Sequence, residues 1–143
     1  MFLRKKITGK LLIIYIPAQI LGCLLGVMLA NVFFEHNILE LSTKNRDGFH
    51  IFLSEIIATF GLIFIIFATL KDGKITIAAS VATYIMAGYW FTSSTSIANP
   101  AVAIARTFTD SFTGINYMNT PTYILAEFLG ALIAVFLIKK LIK

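Results

Sequence analysis

The triplet Asn99-Pro100-Ala101 follows a hydroxyl-rich connector, Thr92–Ser96, and begins a short apolar segment that ends near Phe108. Proline suits the first position of a helix, where its missing N–H would be unpaired anyway, and asparagine suits the cap before it. Nine helical residues reach roughly 13 Å, about half of a ~30 Å hydrocarbon core. Such a half-helix is tolerated in a membrane only where it is buried in protein or lines a watery cavity. Its free N–H groups therefore predict a pore for neutral solutes, with Asn99 as a donor.

Composition places the chain among membrane proteins. It is 58% hydrophobic and 13% charged, with a mean hydropathy of +0.86, so a soluble domain of 143 residues could not bury its apolar surface. The sequence has no nucleophile with a base at a recognisable spacing, no phosphate-binding loop and no Cys/His cluster. We therefore expect no enzyme activity, catalytic residue, metal ligand or cofactor.

Long apolar segments predict an all-α membrane protein formed as a single domain over residues 1–143. The predicted architecture is four transmembrane helices plus one re-entrant half-helix, Pro100–Phe108. The first two spans meet the ~20-residue requirement comfortably and the last two lie near its lower limit. The predicted spans are Leu11–Phe34, Ile51–Leu70, Ile75–Thr92 and Pro121–Ile138.

The basic residues orient these spans in the bilayer. With the N-terminus inside, nine lysines and arginines fall on the cytoplasmic side and only Lys44, Arg46 and Arg106 fall outside. Both termini are then cytoplasmic and the half-helix enters from the outer face. The net charge of +5 is thus a topology signal, and no basic stripe with interleaved aromatics predicts nucleic-acid binding.

An internal repeat relates the first and last spans. Tyr15–Leu29 aligns with Tyr123–Leu137 at an offset of 108 residues, and eight of fifteen positions are identical. Because the two spans cross in opposite directions, this is an inverted-topology repeat, which in transporters and channels places the site between two halves. By this symmetry, two spans and a second half-helix are expected before Met1.

An ordered series of motifs resembles the major intrinsic protein family, the aquaporins and glycerol facilitators. The series matches the third to sixth spans of that six-span fold, and it consists of Ala18–Gly22, Ser54–Gly61, Asn99–Ala101 and Ala126–Gly130. The segment after the triplet is similar to a bacterial branch of the family. The resemblance implies a multi-pass protein of the cytoplasmic membrane.

The resemblance also implies a selectivity filter. Most members carry Arg directly after this triplet, whereas this chain has Val102, and the other filter positions fall on Ala87 and Ser96. A filter with small or apolar walls implies passage of glycerol, urea or neutral metalloid acids as well as water. For Val102 the alternative is packing against a neighbouring span.

Four charged residues near the triplet are interpreted as structural. Glu55 is expected to accept hydrogen bonds from the backbone of residues 93–98, as the family's buried Glu does, rather than to relay protons. Glu127 is expected near a solvated interface. Arg106 and Asp110, four residues apart, are expected to pair at the end of the half-helix, away from the constriction.

The first functional hypothesis is a channel for facilitated diffusion of water or small uncharged solutes. Its partners are the lipid bilayer and those solutes, and its other wall comes from a separately encoded first half or from a second copy in a homo-oligomer. The rival hypothesis is a truncated, non-conducting remnant. A third is a membrane-anchored partner that modulates a full-length relative.

Overall fold

The structure, a computed structural model, describes residues 8–141, which form five α-helices and contain no strand. A 3-10 turn, Arg106–Phe108, continues directly from the fourth and shortest helix. The all-α prediction is therefore confirmed for these residues, and the long helices begin and end within three residues of the predicted spans. The helices are α1 (Gly9–Phe33), α2 (Phe49–Ala68), α3 (Lys74–Phe91), α4 (Pro100–Ala105) and α5 (Thr120–Leu141).

Three helices in the described range are long and apolar enough to cross a membrane. They are α1, α2 and α5, with mean hydropathies of 2.2, 2.4 and 2.0. Helix α3 has 18 residues, and Lys74, Thr76 and Ser80 make it less apolar than the other three. The fourth span and the re-entrant course of α4 therefore stay predictions.

Helices α2 and α5 make the most extensive helix–helix contact. A methyl group at Gly130 would lie 3.1 Å from the backbone nitrogen of Phe60, so the two backbones approach closely at this glycine. Further along, Ala134 and Ile138 of α5 are fully buried and pack with Phe67 of α2. This pair of helices is the framework on which the short helix rests.

Helix α1 packs against α4 and the 3-10 turn at one end and is exposed over most of its length. Its buried residues are Val27 and Asn31, and Asn31 Nδ2 donates to the carbonyl oxygen of Phe108 at 3.0 Å. Gly22 and Gly26, in contrast, have open space where a side chain would stand. Short helix α4 is thus held between α1 and α5.

The α1–α2 loop, residues 34–48, is bound to the segment 109–119 that leads into α5. Arg46 makes the main connection, because its Nε donates to Gly114 O at 2.9 Å and one terminal nitrogen donates to Phe112 O at 2.5 Å. Ser42 N–H donates to Thr107 O at 3.0 Å. These bonds fix the C-terminal end of the short helix relative to α1 and α2.

Candidate functional site

Asn99 caps α4 with its own side chain. Its backbone is extended (φ −157°, ψ 117°), its Oδ1 accepts the Ala101 N–H at 3.0 Å, and Pro100 occupies the first turn. Its carbonyl oxygen accepts the N–H groups of Val102 and Ala103. Within residues 8–141 the Asn99 Nδ2 group donates to no other atom, and the residue is partly exposed. The amide can therefore donate to a molecule beside the cap.

The segment before this cap has a backbone conformation that residues other than glycine rarely adopt. Thr95, Ser96 and Ala98 have φ values of 68°, 51° and 49°, in the left-handed region where a Cβ is crowded. Each such residue costs about 1–3 kcal/mol and persists only where its surroundings over-determine it, as is common at functional sites. The connector before Asn99 is thus a strained, fixed loop.

Two neighbouring helices hold this connector. Ser54 Oγ of α2 accepts the Ser93 N–H at 3.0 Å and the Ser94 N–H at 3.4 Å. Tyr123 of α5, which is buried, donates its hydroxyl to Ser94 O at 3.3 Å. Because backbone groups in a buried loop need partners, these contacts supply what a regular helix would have provided.

Two buried carboxylates from different helices complete the support. Glu55 of α2, which is 0% exposed, accepts the Ala98 N–H through Oε1. Glu127 of α5, which is 1% exposed, accepts the next N–H along the chain, that of Asn99, at 2.9 Å. The second oxygen of each carboxylate has no hydrogen-bond partner in the described part of the chain. The N–H group of the residue before the cap is therefore bound to α2, and that of the cap residue itself is bound to α5.

Glu127 corrects one expectation from the sequence. It does not lie near a solvated interface but is buried against the start of the short helix. The signal that could have indicated this is an ionisable residue within an apolar span, because such a residue requires a partner. Glu55 accepts the N–H of Ala98, which lies at the end of the predicted stretch, residues 93–98.

The three predicted filter residues lie in different surroundings. Ala87 lines a cavity of about 550 Å³ between α2 and α3, whereas Ser96 is 3% exposed and lies against Gly88. The Ser96 hydroxyl has no partner within residues 8–141. Val102 is partly buried and packs against a core cluster that includes Ile51. Packing against a neighbouring span is the alternative that the sequence leaves open for Val102. The filter role of all three residues stays a prediction.

The expected pair between Arg106 and Asp110 does not form in the described chain. Helix α4 tightens into the 3-10 turn at Arg106, and Thr109 is extended (φ −150°, ψ 132°), so the two residues do not share a helical face. Asp110 instead accepts the Thr43 N–H at 2.8 Å and the Thr43 hydroxyl at 3.0 Å. The Thr43 N–H thereby lowers the pKa of the Asp110 carboxyl below its ordinary value.

Residues 8–141 contain no group of three His, Cys, Asp or Glu side chains that could hold a metal ion. His36 pairs with Glu40 at 3.2 Å on the α1–α2 loop, and His50 is exposed. The candidate site is the cluster of polar groups around Asn99. Their chemistry is hydrogen-bond donation from a fixed amide and a fixed backbone.

Comparison with known proteins agrees with the motif series. The family model described as "Major intrinsic protein" matches residues 1–138. Aquaglyceroporin AqpS of Rhizobium meliloti (strain 1021) is 43% identical over 129 residues, which cover 90% of this chain and 55% of that relative. The chain thus spans about half the length of the curated relative that it matches, and no solved structure gives a significant match. With three apolar helices and a family match over nearly its whole length, this chain is a multi-pass membrane protein that belongs to the major intrinsic protein family.

Proposed function

We propose that the chain forms one wall of a channel that passes water and small uncharged solutes down their gradients. The solutes that we propose are glycerol, urea and neutral metalloid acids. The observation that carries the proposal is the Asn99 cap, whose amide oxygen is fixed on the Ala101 N–H while its Nδ2 stays available to donate. A fixed donor can replace part of the hydration of a passing hydroxyl group, and the positive potential of the cap disfavours cations.

The solute class follows from the residue after the triplet. Val102 stands directly after the triplet, where most members of the family carry Arg, and its isopropyl group carries no charge. An uncharged wall near the Asn99 donor suits a solute with one apolar side and one hydroxylated side. The aquaglyceroporin relative, whose name states glycerol-type transport, supports this choice.

The opposite wall of the proposed channel comes from a complementary half. At the repeat offset, Glu127 and Gly130 of α5 correspond to Gln19 and Gly22 of α1. On α5, Glu127 accepts the Asn99 N–H and Gly130 lies against the α2 backbone. On α1, Gln19 and Gly22 are exposed. A polar Gln19 in the middle of an apolar span is costly facing lipid. This favours a half-channel whose α1 face receives a second half, and in this arrangement both termini are cytoplasmic.

Solute flux tests the proposal directly. The chain is reconstituted in vesicles alone and together with the part of AqpS that the alignment leaves uncovered, and association is verified by cross-linking. We expect glycerol flux well above that of protein-free vesicles in the associated pair. Equal flux in associated pairs and protein-free vesicles would support the non-conducting alternative.

A further inference from the structure

A second cavity lies away from the Asn99 cap, between the C-terminal end of α1 and the segment that follows the 3-10 turn. Its volume is about 360 Å³, at the lower end of the range of small-molecule sites. Neither Asn99 nor the two carboxylates that hold the cap line it. The side chains that matter below are those of Val27, Ala30, Phe34, Arg106, Thr109 and Phe112.

Arg106 is the cation of this cavity. Its Nε is buried, and its guanidinium donates to no atom within residues 8–141. Because a buried donor without a partner is costly, such a group requires a ligand or an ordered molecule to accept its hydrogen bond. The planar guanidinium fork matches the two oxygens of a carboxylate better than any neutral acceptor.

No carboxylate of the described chain lines the cavity. Two acidic groups of the neighbouring segments are engaged elsewhere, since Asp110 accepts from Thr43, and Glu40 accepts from His36 Nδ1 and from the Asp110 N–H. The lining residues with ionisable side chains are Arg106 and His36, and His36 is paired with Glu40. Arg106 therefore gives the cavity a positive charge that no lining carboxylate neutralises.

Most of the remaining wall is apolar, although Asn31, Thr109, Ser111 and Thr113 also line it. Val27, Ala30 and Phe34 line it from α1, and Phe112 lines it from the opposite segment. A small inorganic anion would leave this surface uncovered, whereas an alkyl chain of a few carbons would bury it. We propose that this cavity binds a short-chain monocarboxylate, with its carboxylate on Arg106 and its alkyl part against Val27, Ala30 and Phe34.

Binding is measured by titration calorimetry on the purified chain, in a neutral detergent without anionic lipid, with butyrate as the probe. We expect saturable binding that Arg106→Gln weakens at least tenfold. Lys44→Gln removes the same charge from the neighbouring loop but does not line the cavity, so its binding should equal that of the wild type. Butyramide, the neutral isostere, should bind at least tenfold more weakly than butyrate.

A second variant keeps the test independent of the charge change. Ala30→Leu fills the cavity from the α1 side, leaves Arg106 in place and should also abolish butyrate binding. Absence of butyrate binding to the wild type, or equal binding to Arg106→Gln, overturns the proposal.

The oxyanion could instead belong to a lipid headgroup. The same titration is therefore repeated in vesicles with and without phosphatidylglycerol. A signal that depends on Arg106 and arises only from the anionic lipid overturns the proposal of a free carboxylate. Because binding is measured without transport, its failure leaves the channel proposal untouched, and the absence of glycerol flux does not affect this one.

Discussion

Two carboxylates on different helices determine where Asn99 lies. Glu55 and Glu127 accept consecutive N–H groups, so the strained connector is fixed from both sides at the residue where the short helix begins. Neither carboxylate is exposed, and neither has a charged partner among the ion pairs of residues 8–141. Their hydrogen bonds thus satisfy the backbone and position the amide that we propose as the donor to solutes.

Replacing Glu127 by leucine removes an acceptor from a buried N–H. The Asn99 N–H is then unsatisfied, which we expect to lower the free energy of unfolding by about 1–3 kcal/mol. Glu127→Gln retains an oxygen acceptor and should be much closer to the wild type. Unfolding in detergent, followed by circular dichroism, measures both, with Phe128→Leu as the exposed control on the same helix. Equal stability of the leucine and glutamine variants would contradict the account.

Asp110 makes stability depend on pH. The hydrogen bond from the Thr43 N–H holds the pKa of the folded-state carboxyl below the ordinary value of 3.8. A group whose folded pKa is lowered contributes stability above its unfolded pKa, and this is lost as the pH falls through the folded pKa. Asp110→Asn should therefore be less stable than the wild type at pH 7, and the difference should shrink below about pH 4.

Urea or thermal unfolding at pH 7 and at low pH tests this dependence. The matched control is Asp72→Asn, because the Asp72 side chain makes no hydrogen bond to the rest of the described chain. A difference between wild type and Asp110→Asn that does not change with pH would show that the Thr43 bond is not the cause.

At this scale the sequence predicted residue types better than residue partners. Asn99 as cap and Pro100 in the first turn follow from local rules of helix initiation. The partners of Glu127 and Asp110 depend on which loop and which helix lie beside them, and that is decided by tertiary packing. The Arg106–Asp110 pair was wrong because residue spacing implies a shared face only if the α-helix continues.

Among the elements, helices α2 and α5 form the framework that supports the short helix. The helices meet where Gly130 approaches the α2 backbone, and the short helix is tied to both by the carboxylates described above. Helix lengths were predictable because apolar stretches of bilayer length leave little choice. The 3-10 turn after Ala105 could not be predicted from the sequence, because it depends on tertiary hydrogen bonds such as that from Ser42 N–H to Thr107 O.

Gly130→Leu should separate α2 from α5. A side chain there meets the Phe60 and Thr59 atoms at 3.1 Å, and we expect a loss of about 1–3 kcal/mol from overpacking. Gly22→Leu is the matched control at the equivalent repeat position, where the space is open in this chain. Equal stability of the two variants, measured by thermal unfolding in detergent, would contradict the role of Gly130.

Over the whole molecule, one half of the described fold is well packed and the other is exposed. Helices α2, α4 and α5 bury the residues around Asn99, whereas α1 buries Val27 and Asn31 alone. The internal repeat relates the two halves, because the face of α5 that contains Gly130 is covered by α2, whereas the equivalent face of α1, which contains Gly22, is exposed. We expect Gly22→Leu to leave the stability of this chain unchanged and to weaken its association with the second half that we propose, measured by cross-linking.

The most direct test of the central claim is glycerol flux through the associated pair of this chain and the complementary part of AqpS, with Val102 varied. We expect flux well above background for the wild type and for Val102→Leu. We expect at least a tenfold reduction for Val102→Arg, which places a cation near the Asn99 donor, with water flux reduced less. Flux that is unchanged by Val102→Arg would show that the solute does not pass the Asn99 cap, and would contradict the account.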